Sequence, residues 1–333
     1  MNGRDGEARE ELGIGFQVWG QFVTWEHLME TGKLIDELGF DSLWSNDHLL
    51  PVGGAGDEPE ELPQGPVWDG WMTLMGWSAR TIRVTLGCLV SSVSYRSPAL
   101  LVKMATALDH DSGGRAILGI GAGWHATEHA AFGFAYPSLK ERLDRLEEAA
   151  VVCRALLDGG PAHLDGAWVR VAGAVNEPPP RRERLPLLIG GSGERRTLPI
   201  VARYADAWNG EGDPETFARK SRRLDELCEA TGRDPRQVAR TVGLPPPLIR
   251  ETREDAVEAL AGLLRGQGSD GDSAAEAASA SPLVGSVDEV AARLRAYHEA
   301  GAQQVIFDWP TPTDRETLET LAGPVRDALR RSG

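Results

Sequence analysis

The sequence predicts an α/β fold, a (β/α)8 TIM barrel, on three observations. Eight short apolar runs alternate with amphipathic stretches, the pattern of parallel strands joined by crossover helices. The chain has 333 residues, 41% of them hydrophobic. That is enough to bury one large core, and such barrels often run past about 250 residues as a single domain. No repeat exists beyond the βα alternation, so residues 1–333 read as one domain. An open doubly wound sheet shares the alternation and is the alternative architecture.

The first strand is 12–18 (LGIGFQV). A helix over 25–38 follows, with Leu28, Leu34, Ile35 and Leu38 at helical spacing and Gly39 placed to end it. Strands at 41–45 and 82–90 come next. Pro98 then starts a helix, because its missing N–H would have no partner in a first helical turn. The fourth strand is 116–121 (AILGIG). Ser138 and Glu141 form a capping box that opens a helix to 157, each side chain satisfying an orphan backbone N–H of the other. Residues 162–172 read as an inserted hairpin. Strands five to seven fall at 185–189, 205–209 and 238–244, with Asp213 and Pro214 starting the helix before the seventh. A second capping box, Ser286 to Glu289, opens a helix to 299. The eighth strand, 303–309, and a last helix, 316–330, complete the series. Two inserted loops break the pattern: the polar stretch 51–66 and the low-complexity stretch 266–281, expected to be mobile. Residues 1–11 are polar and acidic, unlike a signal or transit peptide, and are expected to be disordered.

Composition narrows the function. Fifty acidic against 35 basic residues give a net charge of -15. Nonspecific binding to nucleic acid or anionic lipid needs a cationic field, so the expected partner is a small-molecule substrate. No run of 18 apolar residues exists, so no membrane span is expected. Cys88, Cys153 and Cys228 are scattered; they suggest neither a disulfide framework nor a CxxC metal site, and they suit a cytoplasmic protein.

Barrel enzymes carry their chemistry on the loops after the strand C-termini, and four such loops stand out. After the fifth strand, Gly190, Gly191, Ser192 and Gly193 lead through Arg195 and Arg196 to Thr197. The glycines let backbone approach an anion, and the following helix offers free N–H groups and a positive dipole end. Ser192 and Thr197 add hydroxyls, and either arginine a charge. The stretch is neither a dinucleotide GxGxxG nor a Walker loop, and a plain tight turn would use the same glycines. After the second strand, Asn46-Asp47-His48 sets a histidine beside a carboxylate, able to donate to a substrate or a cofactor ring. A turn capped by Asp47 with His48 in solvent is the plainer alternative. After the third strand, the hydroxyl-rich loop from Ser91 to Arg96 can hydrogen-bond a polyol chain or a ring edge. After the fourth, Gly121 and Gly123 permit close approach, and Trp124 can form a flat wall.

His125-Ala-Thr-Glu128-His129 matches the H-x-x-E-H metalloprotease pattern. It sits in a glycine loop and lacks an evident third ligand, so no metal is assigned. His27, His110, His163 and His298 read as surface residues. Of ten tryptophans, Trp19, Trp44, Trp68, Trp71, Trp77 and Trp124 lie near strand ends or in the long loop, where some can line an aromatic pocket.

At these loops the chain resembles the luciferase-like oxidoreductase superfamily, in particular its deazaflavin (F420)-dependent branch. The carrying stretches are GFDSLWSNDH at 39–48, the run 85–133, and LPLLIGGSGERRTLPIVARYADAWN at 185–209. The resemblance implies a barrel of the bacterial-luciferase type and an F420-dependent oxidoreductase. F420, or FMN as in other relatives, would be held by its phosphate at Gly190–Gly193 and Thr197. It also implies a bulge with a non-prolyl cis peptide near Leu89-Val90, behind the cofactor ring. Ser91, Arg96, Gly121, Gly123 and Trp124 would complete the cofactor contacts. His48, with Asp47 behind it, would assist proton transfer. Two departures bear on the substrate. Trp124 stands where some F420 dehydrogenases carry an acidic residue, leaving Glu128, one helical turn on, as the nearest carboxylate of the catalytic set. Gln17 ends the first strand where some relatives place Glu. Both speak against a sugar-phosphate or alcohol substrate. The implied reaction is hydride transfer to or from a small organic molecule, such as an imine or enone, in a homodimer. The alternatives are an FMN-dependent monooxygenase served by a flavin or F420 reductase partner, and a barrel that keeps the fold without catalysis.

Overall fold

The computed structural model describes residues 11–52, 65–266, 270–309 and 314–331. Among these, eight parallel strands form a closed ring: β1 (Gly13–Val18), β2 (Ser42–Ser45), β3 (Thr85–Cys88), β4 (Ala116–Gly121), β5 (Leu187–Gly190), β6 (Ala207–Gly210), β7 (Ala239–Leu244) and β8 (Gln304–Trp309). Neighbours run β3-β2-β1-β8-β7-β6-β5-β4, and the pairing of Leu86 with Ala116 and of Gly87 with Ile117 closes the ring. That closure excludes the open-sheet alternative. The strands are apolar on both faces because both are covered. Outward residues such as Ile14, Phe16 and Val18 pack in the shell beneath the helices. Inward residues Trp44, Ile117, Leu188, Ala207, Ala239 and Ile306 fill the lumen. The Trp44 indole fits there because the facing position is glycine: a Cβ on Gly87 would lie 2.5 Å from the ring.

The helices are α1 (Trp25–Glu37), α2 (Gly70–Ser78), α3 (Pro98–Asp111), α4 (Ala126–Ala131), α5 (Leu139–Leu157), α6 (Thr197–Tyr204), α7 (Pro214–Ala230), α8 (Arg253–Gly266), α9 (Gly271–Ala280), α10 (Val287–Glu299), α11 (Arg315–Thr320) and α12 (Arg326–Arg330). Both capping boxes form, at Ser138/Glu141 and Ser286/Glu289. Asp213 caps α7, with Pro214 in its first turn. The hairpin pairs Ala162–Asp165 with Arg170–Ala174. Helix α2 was not expected from the sequence. Its stretch GWMTLMGWS lacks a polar face, so it shows no helical period; Asp69 caps it by accepting from the Met72 N–H at 2.8 Å.

Three expectations need correction. The stretch 266–281 is not a mobile loop over its described part. It forms α9, whose Ala274 and Ala278, four apart, are buried against Ala256 and Leu260 of α8. Small alanines let the two helices pack closely, which a low-complexity reading hides. The last helix is split: Pro324, with no N–H to give, lies in a π-helical turn, Leu321–Val325, between α11 and α12. The third strand ends at Cys88; the chain leaves the ladder at Leu89-Val90, whose peptide is cis, and rejoins β4 at Ser91 and Ser92. The expectation of disorder at 1–11 and most of the loop 51–66 fall on residues 1–10 and 53–64, outside the described residues.

Candidate active site

The C-terminal ends of the strands open onto a cavity of about 780 Å³. This is the rim on which the sequence placed its four loops. Asp47 and His48, Leu89 and Val90, Gly121, Gly123 and Trp124 all border it. Gly190, Gly191 and Thr197 border it from the opposite loops.

The glycine turn after β5 is tied to β6. Gly191 N–H donates to the Asn209 carbonyl at 3.1 Å, and Trp208 Nε1 donates to the Gly191 carbonyl at 2.8 Å. Gly191 has φ of 123°, a region that L side chains rarely adopt. A Cβ there would approach Thr197 Cγ2 at 3.2 Å, and one on Gly193 would approach Thr197 Oγ1 at 3.0 Å, so side chains would fill the hollow. Ser192 Oγ is buried in this turn with no hydrogen-bond partner. A hydroxyl in that state costs on the order of 1–3 kcal/mol unless something accepts from it. The glycine hollow, the orphan hydroxyl and the start of α6 at Thr197 together fit a phosphoryl group. Arg196 does not supply a charge to it, because its guanidinium is held by Asp144 of α5 at 2.5 Å.

The Leu89-Val90 bulge forms a ledge across the cavity floor. A Cβ on Gly121 would lie 2.5 Å from Val90 Cγ2, and one on Gly190 3.0 Å from Val90 Cγ1, so both glycines make room for the ledge. Gln17 of β1 donates its side-chain amide to the Leu89 carbonyl. An ionised Glu at that position could not donate, which gives the Gln a structural reason.

The third-strand loop holds two corrections. Ser91 does not face the cavity; it is fully buried and accepts from Trp71 Nε1 at 2.9 Å. Strand alternation turns its neighbour, Ser92, to the cavity instead. Arg96 does not line the cavity either. Its Nη1 donates to both oxygens of Asp47, at 2.8 and 2.6 Å, and its Nη2 to Asp69 at 3.0 Å. Asp47 is therefore not the partner of His48. Burial pushes the Asp47 carboxyl up to about 6, even with Arg96 beside it.

The partner of His48 is Glu128, fully buried on α4. Glu128 Oε2 faces His48 Nδ1 at 3.1 Å, Oε1 accepts from Leu50 N–H at 2.9 Å, and the Leu49 N–H and Tyr95 hydroxyl also donate to the carboxylate. Burial alone would raise its pKa, but the bonds from His48, Tyr95 and Leu49 hold it down to about 2. The carboxylate accepts the Nδ1 proton, which leaves Nε2 of the cavity-lining imidazole available. Trp124 packs edge-on against His48, with ring centroids 5.4 Å apart.

The H-x-x-E-H residues are spent on separate tasks. His125 Nδ1 accepts from the Glu128 N–H at 3.1 Å and caps α4. His129 joins Ser94 Oγ at 2.5 Å and donates from Nδ1 to the His125 carbonyl at 2.8 Å. Among the described residues, no group of three His, Cys, Asp or Glu is placed to hold a metal ion. The three cysteines are buried and free, and no described helix is long and apolar enough to cross a membrane. Of the tryptophans, Trp44, Trp71 and Trp77 are core residues, while Trp19 and Trp124 line the cavity.

Sequence reasoning missed Asn209 and Asp308 as cavity residues, and it reached Ser92 and Tyr95 only as members of the hydroxyl-rich loop. Asp308 had a usable signal, since it closes the eighth strand at its C-terminal end, where barrel chemistry gathers.

A closed (β/α)8 barrel with a glycine turn, a cis ledge and a histidine on one rim is a barrel of the bacterial-luciferase type. Residues 10–304 match the luciferase-like monooxygenase family, and the chain belongs to it. An F420-dependent glucose-6-phosphate dehydrogenase of Microbacterium testaceum (strain StLB037) is 30% identical over 213 residues, 63% of this chain and 60% of that protein. The match thus spans less than two thirds of that relative. One from Amycolatopsis mediterranei (strain U-32) is 25% identical over 346 residues, 97% of this chain and 100% of that protein. In fold, the chain is similar to the coenzyme F420-dependent tetrahydromethanopterin reductase of Methanopyrus kandleri, with a TM-score of 0.76 at 18% identity, covering 96% of this chain and 99% of that one.

Proposed function

We propose that the protein is an F420-dependent oxidoreductase that moves a hydride between the deazaflavin and a small organic substrate. One observation carries the reading: Gly190, Gly191 and Thr197 of the glycine turn, the Leu89-Val90 ledge and His48 border one cavity large enough for a tricyclic ring and a substrate. The relatives named F420-dependent dehydrogenases support the choice of cofactor.

When bound, F420 supplies a carbon that gives or takes a hydride. The chain does the rest. The turn amides other than that of Gly191, with Ser192 Oγ and Thr197 Oγ1, would hold the phosphate. The Leu89-Val90 ledge would support the ring. Trp124, Leu139 and Leu143 give one wall an apolar lining. His48 Nε2 gives or takes the one proton that accompanies the hydride, and Glu128 holds the imidazole in place through Nδ1.

Fluorescence titration with F420 and FMN side by side tests the reading. Saturable binding of F420, with FMN much weaker, is expected. Tight FMN binding with no F420 binding would make the protein a flavin-dependent monooxygenase, and a folded protein that binds neither would be a non-catalytic barrel.

A further inference from the structure

We propose that Asp308 is a specificity-determining residue that selects substrates carrying a cationic nitrogen, an amine or iminium. The inference rests on the reading above only in taking this cavity as the substrate site.

The charges around the cavity are one-sided. No Lys or Arg is among the described residues that line it, whereas Asp47, Glu211 and Asp308 are. Asp47 is neutralised by Arg96. The stretches 53–64 and 310–313, which follow the second and eighth strands in sequence, contain no Lys or Arg. A sugar phosphate or a carboxylate would meet no side-chain cation, and the glycine cradle is taken by the cofactor.

Asp308 differs from the other two acids. It lies on β8 between the buried residues Phe307 and Trp309, so alternation turns its side chain inward while theirs pack outward. On one side it pairs in register with Gln17 of β1; on the other, β7 pairs Gly243 with Ile306, two residues before Asp308, and Gly243 also lines the cavity. Trp19 hydrogen-bonds its carboxylate, and among the described residues no Lys or Arg lines the cavity beside it. Burial pushes this carboxyl up to about 6, so it is ionised and poorly solvated at neutral pH. A ligand ammonium or iminium supplies the missing opposite charge through a charge-assisted hydrogen bond, and Trp19, the hydrogen-bond partner of Asp308, adds an aromatic ring that favours a cation. Glu211 is exposed, so water and salt screen it.

The test is calorimetric titration of the protein at pH 8, with and without F420, using benzylamine, benzyl alcohol and glucose 6-phosphate as probes. Benzylamine is expected to bind about tenfold or more tighter than benzyl alcohol, the worth of one charge-assisted bond, and glucose 6-phosphate not to saturate. In Asp308→Asn the amine preference disappears while F420 affinity stays within about twofold, and in Glu211→Gln the preference falls by less than about threefold. Asp308→Ser gives the same loss should the Asn variant melt early. Retention of the preference in either Asp308 variant, an equal loss in Glu211→Gln, or saturable glucose 6-phosphate binding that competes with the amine would overturn the proposal. An amine preference that depends on Asp308 in a protein that binds no F420 would uphold this inference and defeat the cofactor reading.

Discussion

Glu128 Oε2 meets Nδ1 of His48 at 3.1 Å across 80 positions of sequence, in a carboxylate that also takes hydrogen bonds from Tyr95, Leu49 and Leu50. This contact fixes the proton on Nδ1 and turns Nε2 to the substrate. In Glu128→Gln the amide oxygen or nitrogen faces the ring with no charge to decide the tautomer. Imidazole ¹⁵N spectra are expected to show His48 as the Nδ1–H form when neutral in the native protein and as a mixture in the variant. The same mixture in both would remove Glu128 from the role.

The same carboxylate sets an acid limit on stability. Its folded pKa, about 2, lies below the ordinary 4.5. Its stabilisation is therefore full above about pH 5 and is lost as pH falls through 4.5 toward 2, on the order of 3 kcal/mol in all. Urea denaturation of native protein and Glu128→Gln should show a gap that is constant from pH 6 to 8 and narrows below pH 4.5.

Asp308 acts with the opposite sign. Its folded pKa, about 6, is above the ordinary 3.8, so its contribution is fully favourable below about pH 4 and is lost as pH rises through 6. Asp308→Asn should raise stability at pH 8 by roughly 1–3 kcal/mol and by little at pH 4. Calorimetric melting at the two values checks this, and a gain of the same size at both would show that the charge is not the cause.

Ser192 separates binding from folding. Its buried Oγ has no partner within the protein, so Ser192→Ala should leave the melting temperature of the free protein unchanged or slightly raised. The same substitution should weaken F420 about tenfold, one hydrogen bond to a charged group. A large drop in melting temperature would mean that the hydroxyl serves the fold.

Ala278 tests the one segment whose order composition concealed. It is buried between α9 and α8. Ala278→Asp would leave an unpaired charge there, and hydrogen exchange should speed up in 253–280 while the barrel strands stay protected. Unchanged exchange in α8 would show that the two helices do not depend on each other.

The barrel was legible because its signals are local. Eight strands, both capping boxes and the Pro214 and Pro98 helix starts depend on residues within one turn of each other, and each lies within two or three residues of its expected place. The glycine turn after the fifth strand was legible for the same reason. What the sequence did not show is what distant side chains do to one another. Asp47 stands next to His48 in the chain, yet Arg96 claims it from 49 positions away, and Glu128 reaches His48 from another loop. Ser91 and Ser92 are equal in composition, and only the register with Ile120 and Gly121 decides which one faces the cavity. Helix α2 gave no period because it lacks a polar face.

The central claim is that the turn at 190–197 seats a cofactor phosphate on the same rim as His48. The most direct measurement is the affinity for F420 compared with that for its deazaflavin-ribitol core lacking the phosphate. A loss of about 100-fold or more is expected without the phosphate, and most of that difference should vanish when Gly193→Val fills the hollow. Equal affinity for the two molecules would contradict the account.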